Sequence, residues 1–169
     1  MVVPGFVLAG GASKRMGRDK ALLPIDGEPL AARTARILSE GGCRPVHIVG
    51  NQPGLSGLDW PVLREPDGDH HPLRGVATAL ASLPDGLALF APCDLPALTS
   101  QAIDSLLAVG GPCRVVGQPL LCVLSSEQAH RAAAHAHAGG SVRAFVAELE
   151  PLILPESVLL NANRPEDLL

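Results

Sequence analysis

Residues 2–20, VVPGFVLAGGASKRMGRDK, decide which kind of fold this chain adopts. The segment Val2–Leu8 is short, apolar and rich in β-branched residues, which predicts a buried β-strand. It breaks at once into GGAS (residues 10–13), where adjacent glycines allow backbone N–H groups to face an anion at close range. Arg15 and Lys20 bring two positive side chains to the same loop; arginine binds phosphate oxygens as a fork, whereas lysine acts as a point charge. The stretch therefore predicts a strand followed by an anion-binding turn.

Two familiar phosphate-binding patterns do not match this loop. A Walker A motif requires a lysine directly after its second glycine, but Gly17 is followed by Arg18. The dinucleotide fingerprint G-x-G-x-x-G is also absent from the loop. The alternative to an anion site is a glycine-rich connection with solvated basic residues. The strand before the loop and the clustered cations favour the anion site.

The rest of the chain alternates between short apolar runs, which predict strands, and segments with apolar residues at helical spacing. The predicted strands are residues 46–49, 60–63, 87–91, 114–116 and 120–124, with a last one from Val158. The predicted helices are residues 29–40, 73–83, a helix capped by Thr99 or Ser100 that runs to about Val109, 125–138, and one that begins near Ser141. Alternating strands and helices predict an α/β fold, with helices on both faces of a mostly parallel sheet, in a single domain over residues 1–169.

Composition narrows the classes of function. The chain has 169 residues, of which 47% are hydrophobic, so it can bury a core and is not disordered. Its formal net charge of −4 at pH 7 lacks the basic excess that general DNA or RNA binding needs. No apolar run reaches the ~18 residues of a membrane span, and the amino terminus does not resemble a signal peptide. The four cysteines form no C-x-x-C pair, which favours buried thiols in a reducing compartment, so we expect a cytoplasmic protein.

Ligands of such folds bind beyond the carboxyl ends of the strands, which selects the loops after Leu8, Val49 and Ala91. Asp94 follows the apolar strand 87–91 directly, between Pro92 and Pro96, which restrict the backbone around it. A carboxylate in that place is suited to a divalent cation; the alternative is an aspartate that caps a helix or forms a turn. Cys93 beside it is expected to be a packed thiol rather than a nucleophile.

Four segments resemble one family. Residues 8–30, LAGGASKRMGRDKALLPIDGEPL, match the pattern L-A-G-G-x-S-x-R-M-G-x-D-K-x-L-L-x-x-x-G-x-P-L. Residues 71–75 (HPLRG) are similar to G-P-L-x-G with His71 in place of the first glycine, residues 92–96 (PCDLP) to P-C-D-x-P, and residues 161–168 (NANRPEDL) to N-x-N-T-P-E-D-L. In this order, and over nearly the whole chain, they resemble the molybdenum cofactor guanylyltransferase family of nucleotidyltransferases.

The resemblance implies a Rossmann-like three-layer sandwich of the nucleotide-diphospho-sugar transferase type. It also implies transfer of GMP from GTP to molybdopterin cofactor with Mg²⁺ and release of pyrophosphate. Molybdopterin-synthesis enzymes and acceptor molybdoenzymes are the protein partners to expect, with no role for nucleic acid or membranes.

Site residues are carried over by position. Leu8, Ala9 and Gly10 would contact the guanine nucleotide, with Gly11 in the same turn; Lys20 would bind its phosphates; and Asp94 would bind both nucleotide and Mg²⁺. The family also uses an Asp shortly before G-P-L-x-G; Asp67 is the choice here and Asp69 the alternative. The other implied positions are Arg15 in catalysis, Asn51 at the nucleotide, and Leu73 and Gly75 at the pterin or nucleotide pocket. Asn161 and Asn163 are implied on the molybdopterin side, unless these two only form an Asx turn. Gln118-Pro119 and Arg143 also look family-like.

The residue types support these roles independently. Joining a nucleoside monophosphate to a phosphate acceptor brings two anions together, so catalysis is mainly alignment and neutralisation of charge. Fixed N–H donors, cations and a magnesium-binding carboxylate are required, and Gly10, Gly11, Arg15, Lys20 and Asp94 would supply them. The alternatives are a cytidylyltransferase of the same cofactor, whose relatives usually read L-A-A-G at this turn, a sugar-phosphate nucleotidyltransferase, and a nucleotide-binding module without catalysis.

Overall fold

The computed structural model describes residues 2–10, 19–162 and 165–168. Its strands are β1 Gly5–Leu8, β2 Pro24–Ile25, β3 Glu28–Pro29, β4 Val46–Val49, β5 Val62–Leu63, β6 Leu87–Pro92, β7 Cys113–Val115, β8 Gln118–Ser125 and β9 Glu150–Leu152. Its α-helices are α1 Leu30–Glu40, α2 Pro72–Ala81, α3 Ser100–Ala108, α4 Ala129–His137 and α5 Val142–Phe145. Strands and helices alternate along most of the chain, as the apolar pattern predicts.

Seven strands form one sheet in the order β5-β4-β1-β6-β8-β7-β9, while β2 and β3 pair in a separate hairpin. β1 lies between β4 and β6 and is parallel to both, with Gly5 opposite Val46 on one side and Leu89 on the other. Only β8 runs against its neighbours β6 and β7 within this sheet. The prediction of a mostly parallel sheet is confirmed.

Helices cover both faces of the sheet. Buried side chains of α1 and α3 share one hydrophobic cluster with one face, and those of α2, α4 and α5 share a second cluster with the other face. These strands are continuous apolar runs because both faces are covered. At the end of α1, a Cβ on Gly41 would collide with Ile103 of α3, so the close packing of these two helices requires glycine there.

The predicted strand from Val158 is wrong. Glu156–Val158 form a 3₁₀ turn, and the last strand of the sheet is Glu150–Leu152 instead. β9 pairs along one side with β7 at the edge of the sheet, where Pro151 is tolerated and continuous burial is not required. The sequence of an exposed edge strand therefore lacks the apolar run that marks the central strands.

The topology brings four strand ends to one place. Because β5, β4, β1 and β6 are parallel neighbours, the loops that follow them meet at one edge of the sheet. β8 is antiparallel to β6, so its first residue, Gln118, lies at that same edge. In the described part of the chain, no helix combines the length and the apolar character that spanning a bilayer requires.

Candidate active site

Lys20 and Asp94 meet at the edge of the sheet where β1 and β6 end. The Lys20 Nζ lies 3.4 Å from Asp94 Oδ2, and the two side chains are 18% and 26% exposed. Lys20 opens a 3₁₀ turn, Lys20–Leu22, and Asp94 comes two residues after β6. The structure therefore brings together the two residues that the sequence analysis placed in one site. Because the pair is partly withdrawn from water, its charges interact more strongly than on an open surface.

The loop that carries Asp94 is held by backbone contacts. The Cys93 N–H donates to the Leu8 carbonyl at 3.3 Å, and the Ala162 N–H donates to the Asp94 carbonyl at 2.9 Å. Two residues on, the Arg33 Nε of α1 donates to the Pro96 carbonyl at 3.1 Å. These contacts join β1, α1 and the carboxyl-terminal segment to one loop, which gives the Asp94 carboxylate a defined position.

Cys93 is a buried thiol beneath this loop. Burial, with a smaller contribution from the Asp94 carboxylate, raises the pKa of Cys93 to about 12. A thiol with so high a pKa is protonated at neutral pH, when it is a weak nucleophile. The structure confirms that Cys93 packs in the core rather than facing a substrate.

Asp19 is a carboxylate of the site that the sequence analysis did not single out. Its Oδ1 accepts a hydrogen bond from the Ala21 N–H at 3.1 Å and so caps the turn that carries Lys20. Its Oδ2 is buried and accepts no hydrogen bond from the residues that the structure describes. Burial raises the pKa of Asp19, while the bond from Ala21 lowers it by less. Its position directly before Lys20 in the opening motif is the feature of the sequence that could have identified it.

A first cavity of about 280 Å³ opens beyond β1, β4 and β5. We call it the nucleotide-side cavity because the resemblance implies nucleotide contacts for Gly10 and Asn51, which line it. Its wall consists of Gly10, Asn51, Gln52, Glu65, residues 66–70 and Arg74. A Cβ on Gly10 would lie 3.0 Å from Glu65 Oε1, so glycine leaves the Glu65 carboxylate in place without a shift. A Cβ on Gly75 would collide with the same oxygen. The two glycines therefore leave the room in which the Glu65 carboxylate lies, which gives both predicted glycines a physical role.

Glu65 is the second carboxylate that the sequence analysis missed. It follows β5 at the binding edge, and burial raises its pKa, opposed by the smaller effects of His70 and Arg74. Asp67, the residue chosen from the resemblance, lines the same cavity but is exposed, and its backbone carbonyl accepts from Arg74 Nη2 at 2.9 Å. Its position two residues after the predicted strand 60–63 is the feature of the sequence that could have identified it.

Asn51 and Gln52 support the cavity from β4. The Asn51 amide pairs with the backbone of Glu65, donating to its carbonyl at 3.0 Å and accepting from its N–H at 2.9 Å. Gln52 Nε2 donates to the Ala9 carbonyl in the turn after β1. Both side chains thus tie neighbouring loops together. Whether Asn51 also contacts a nucleotide stays a prediction.

Leu73 lies in the first turn of α2 with its side chain in the core, 1% exposed, so only its backbone could reach a ligand. His71 precedes that helix. Its Nδ1 accepts from the Leu73 N–H at 3.1 Å, and in that tautomer its Nε2 donates to the Gly140 carbonyl at 2.9 Å. The histidine that replaces the glycine of the G-P-L-x-G pattern therefore caps α2 and links it to the loop after α4.

A second cavity of about 510 Å³ lies on the other side of the Asp94 loop. We call it the acceptor-side cavity because the resemblance implies that Asn161, which lines it, lies on the molybdopterin side. Its lining includes Ile25, Pro96, Ala97, Leu160 and Asn161. Asn161 thus lines a cavity next to the Asp94 loop, and its predicted role on the molybdopterin side stays a prediction. The predicted site residues Gly11, Arg15 and Asn163 lie outside the described residues.

The donor set around Lys20 suits a hard cation. Mg²⁺ takes oxygen ligands and is held in proteins by one or two carboxylates together with water and substrate phosphates. Asp94 offers a partly exposed carboxylate, and Asp19 Oδ2 is a buried oxygen without a hydrogen bond from the described residues. Among the residues that the structure describes, no three or more His, Cys, Asp or Glu side chains are grouped so that they could hold a metal ion.

Comparison with known protein families shows which family this chain matches. The MobA-like NTP transferase domain matches residues 5–153, which include every strand of the large sheet. The chain belongs to this family.

Among curated proteins, the molybdenum cofactor guanylyltransferase of Xanthomonas euvesicatoria pv. vesicatoria (strain 85-10) is 39% identical over 105 residues, or 62% of this chain and 53% of the relative. The molybdenum cofactor guanylyltransferase of Rhodobacter capsulatus is 33% identical over 113 residues, which cover 64% of this chain and 59% of that protein. The chain thus spans little more than half the length of these curated relatives.

The crystal structure of molybdopterin-guanine dinucleotide biosynthesis protein A from Archaeoglobus fulgidus has a TM-score of 0.77 to this chain at 17% identity. The alignment covers 98% of this chain and 95% of that one. The likeness shows the fold. It confirms the predicted Rossmann-like three-layer sandwich with a mostly parallel central sheet.

Proposed function

We propose that this chain transfers GMP from GTP to molybdopterin cofactor, forming the guanine dinucleotide cofactor and releasing pyrophosphate. The observation that carries the proposal is the Lys20–Asp94 pair, 3.4 Å apart, with one cavity on each side of its loops. A nucleotidyltransferase must bind its two anionic substrates next to each other, at a site whose charged groups contact both. The names of the curated relatives supply the substrates, and family membership supplies the reaction class.

In this mechanism the protein aligns two anions and neutralises their charge. Lys20 would bind the triphosphate as a point charge, and the Gly10-Gly11 pair is predicted to offer backbone N–H groups to its oxygens. A phosphate oxygen of the acceptor attacks the α-phosphorus, the bond to the β-phosphate oxygen breaks, and pyrophosphate leaves with the electron pair. The acceptor supplies the nucleophile, which is consistent with the buried, protonated thiol of Cys93.

Asp94, with Asp19 beside Lys20, would hold Mg²⁺ in this proposal. When bound, Mg²⁺ neutralises charge on the transferring phosphates. Removal of divalent ions with EDTA should abolish transfer, and addition of Mg²⁺ should restore it. Transfer at the full rate in EDTA would remove the metal from the proposal.

Guanine is favoured over cytosine by the chemistry of the nucleotide-side cavity. Guanine presents two neighbouring N–H groups on one edge, N1–H and the 2-amino group, and a carboxylate accepts from both. Cytosine presents a single amino group beside two acceptors on the corresponding edge. The carboxylate of Glu65, which lies between Gly10 and Gly75, therefore supports guanine, as does the Gly10-Gly11 pair of the opening motif.

One assay tests the function. Purified protein, Mg²⁺ and molybdopterin cofactor are incubated with each labelled nucleoside triphosphate in turn. We expect label to enter the dinucleotide product from GTP, with little from CTP, ATP or UTP. Transfer from CTP but not GTP would make the chain a cytidylyltransferase. GTP binding without any transfer would make it a binding module.

The cellular setting is part of the same proposal. All four cysteines are free and buried, which suits the reducing cytoplasm. Molybdopterin-synthesis enzymes would deliver one substrate, and acceptor molybdoenzymes would take up the product.

A further inference from the structure

Gln118 is the first residue of β8 and lies at the binding edge of the sheet, half-buried. Its Nε2 donates two hydrogen bonds, one to the Leu159 carbonyl at 3.2 Å and one to Asn161 Oδ1. We infer that Gln118 is a positioning residue for the acceptor substrate, because it sets the direction in which the Asn161 amide faces the acceptor-side cavity. This inference rests on the proposed transfer to a phosphate-bearing acceptor.

The orientations of the Gln118 and Asn161 side-chain amides follow from the backbone carbonyl of Leu159. A carbonyl oxygen can only accept a hydrogen bond, so the Gln118 group that faces the Leu159 carbonyl must be its NH₂. The same NH₂ faces the Asn161 side chain, which must therefore present its oxygen to Gln118. The NH₂ of Asn161 is then the polar group left to face a ligand. Without Gln118 the two orientations of the Asn161 amide would compete.

The segment that carries Asn161 is held at both ends. On one side the Gln118 amide holds the Leu159 carbonyl, and on the other the Ala162 N–H donates to the Asp94 carbonyl at 2.9 Å. Ala162 is fully buried, whereas Asn161 is exposed. Asn161 thus projects from a short segment that is anchored to β8 and to the loop of the proposed metal-binding carboxylate.

The chemistry of the cavity explains why this orientation matters. Asp26 and Asp167 also line it, so the charged side chains that the described residues contribute to it are acidic. A phosphate-bearing acceptor is itself an anion and needs hydrogen-bond donors near its approach to Asp94. The NH₂ of Asn161 supplies such donors, whereas its Oδ1 would add another acceptor that repels the anion. Leu160, 63% exposed, adds an apolar wall beside it.

The test reverses the direction of the hydrogen bond between residue 118 and Asn161. Gln118→Glu keeps the side-chain size but replaces the donor by an acceptor, so the Asn161 amide should turn and present Oδ1 to the cavity. We expect the KM for molybdopterin cofactor to rise at least about tenfold, with kcat within about threefold and the Kd for GTP unchanged by calorimetry.

Gln118→Met keeps the length and removes the hydrogen bonds without adding charge. The Asn161 amide then samples both orientations, and we expect the KM for the acceptor to rise by a smaller factor, about threefold. This variant keeps the test open if Gln118→Glu fails to fold, which a thermal unfolding scan detects. Gln101→Glu, on the exposed side of α3, is the matched control and should leave both constants unchanged.

A double-mutant cycle separates positioning from a general structural effect. In an Asn161→Ala background the group on which Gln118 acts is absent, so Gln118→Glu should no longer raise the KM for the acceptor. Additive effects of the two substitutions, or an unchanged acceptor KM in folded Gln118 variants, would overturn the inference while the wild-type protein still transfers GMP. Failure of the wild-type protein to transfer GMP at all would instead overturn the proposed function.

Discussion

Lys20 and Asp94 form the one ion pair in the described part of the chain that joins the loops after β1 and β6. The pair is partly exposed, and such pairs contribute little to the free energy of unfolding. They lie between two cavities, and the proposed function gives them a role in chemistry rather than in stability. Substitutions at these two residues should therefore separate activity from folding.

The first prediction concerns Asp94→Ala. We expect the rate of GMP transfer to fall at least about a hundredfold, because the carboxylate that would hold Mg²⁺ is lost. The thermal unfolding midpoint should stay within a few degrees, because the backbone contacts of the loop remain. Asp104→Ala, at an exposed position of α3, is the matched control. Normal turnover by the Asp94 variant would remove the metal-binding role.

The second prediction concerns Lys20→Ala. The loss of a positive charge beside the triphosphate should weaken GTP binding by at least about tenfold, and the loss should shrink at high salt. Calorimetric titration with GTP at low and high ionic strength measures both effects. Arg44→Ala removes an exposed cation just before β4, at the opposite edge of the sheet, and should leave affinity unchanged. Equal affinities of wild type and Lys20 variant would contradict the placement.

The start of α2 depends on a histidine rather than on the usual small cap. His71 accepts from the Leu73 N–H through Nδ1, and it reaches the Gly140 carbonyl through Nε2, so one imidazole joins two helices of the same face. Preferred caps satisfy only the first of these contacts. The nucleotide-side cavity is bounded by the loop before this helix, so the cap also supports the binding edge.

The third prediction follows from this cap. His71→Ala should lower the free energy of unfolding by about 1–2 kcal/mol, because the Leu73 N–H loses its acceptor and the contact with Gly140 is lost. His71→Asn restores a capping oxygen but cannot reach Gly140, so it should recover only part of the loss. Urea unfolding followed by circular dichroism measures the difference. Equal stability of the alanine variant and the wild type would show that the cap contributes nothing.

Across the whole molecule, the core keeps four thiols in their neutral form. Burial raises the pKa of Cys43 to about 12 and also raises the pKa of Cys113 and Cys122. In the unfolded chain these thiols ionise near their ordinary pKa of about 9. Between these values the unfolded state releases protons that the folded state retains, so stability falls as the pH rises.

The fourth prediction is therefore a loss of stability at alkaline pH. The urea midpoint should be steady up to about pH 8 and fall as the pH rises from about 9 towards 11. The chain contains no tyrosine and only two lysines, so few other groups titrate in this range. Cys43→Ala should show a shallower decline than the wild type. A midpoint that does not change up to pH 11 would be inconsistent with thiols buried in this way.

Much of the fold was readable from local pattern. The apolar runs at 46–49 and 87–91 became β4 and β6, and the glycines after Glu40 ended α1. Parallel strands collect the loops that follow them at one edge, so the meeting of Lys20 with Asp94 could be predicted from the two strands that precede them. Strands that are covered on both faces and helices that end at glycine can be predicted because neighbouring residues in the sequence determine them.

The finer geometry of the site depended on tertiary structure. Three contacts of the site join residues that are far apart in the chain. Glu65 packs against Gly10, Gln118 bonds to Asn161, and His71 bonds to Gly140. Such contacts arise from the way loops pack once the sheet has formed, and no periodicity of apolar residues records them. The sequence by itself determined which strands end at the site, because burial of a strand is a local property. Only the folded chain decided which side chains meet there, because their meeting depends on loop packing.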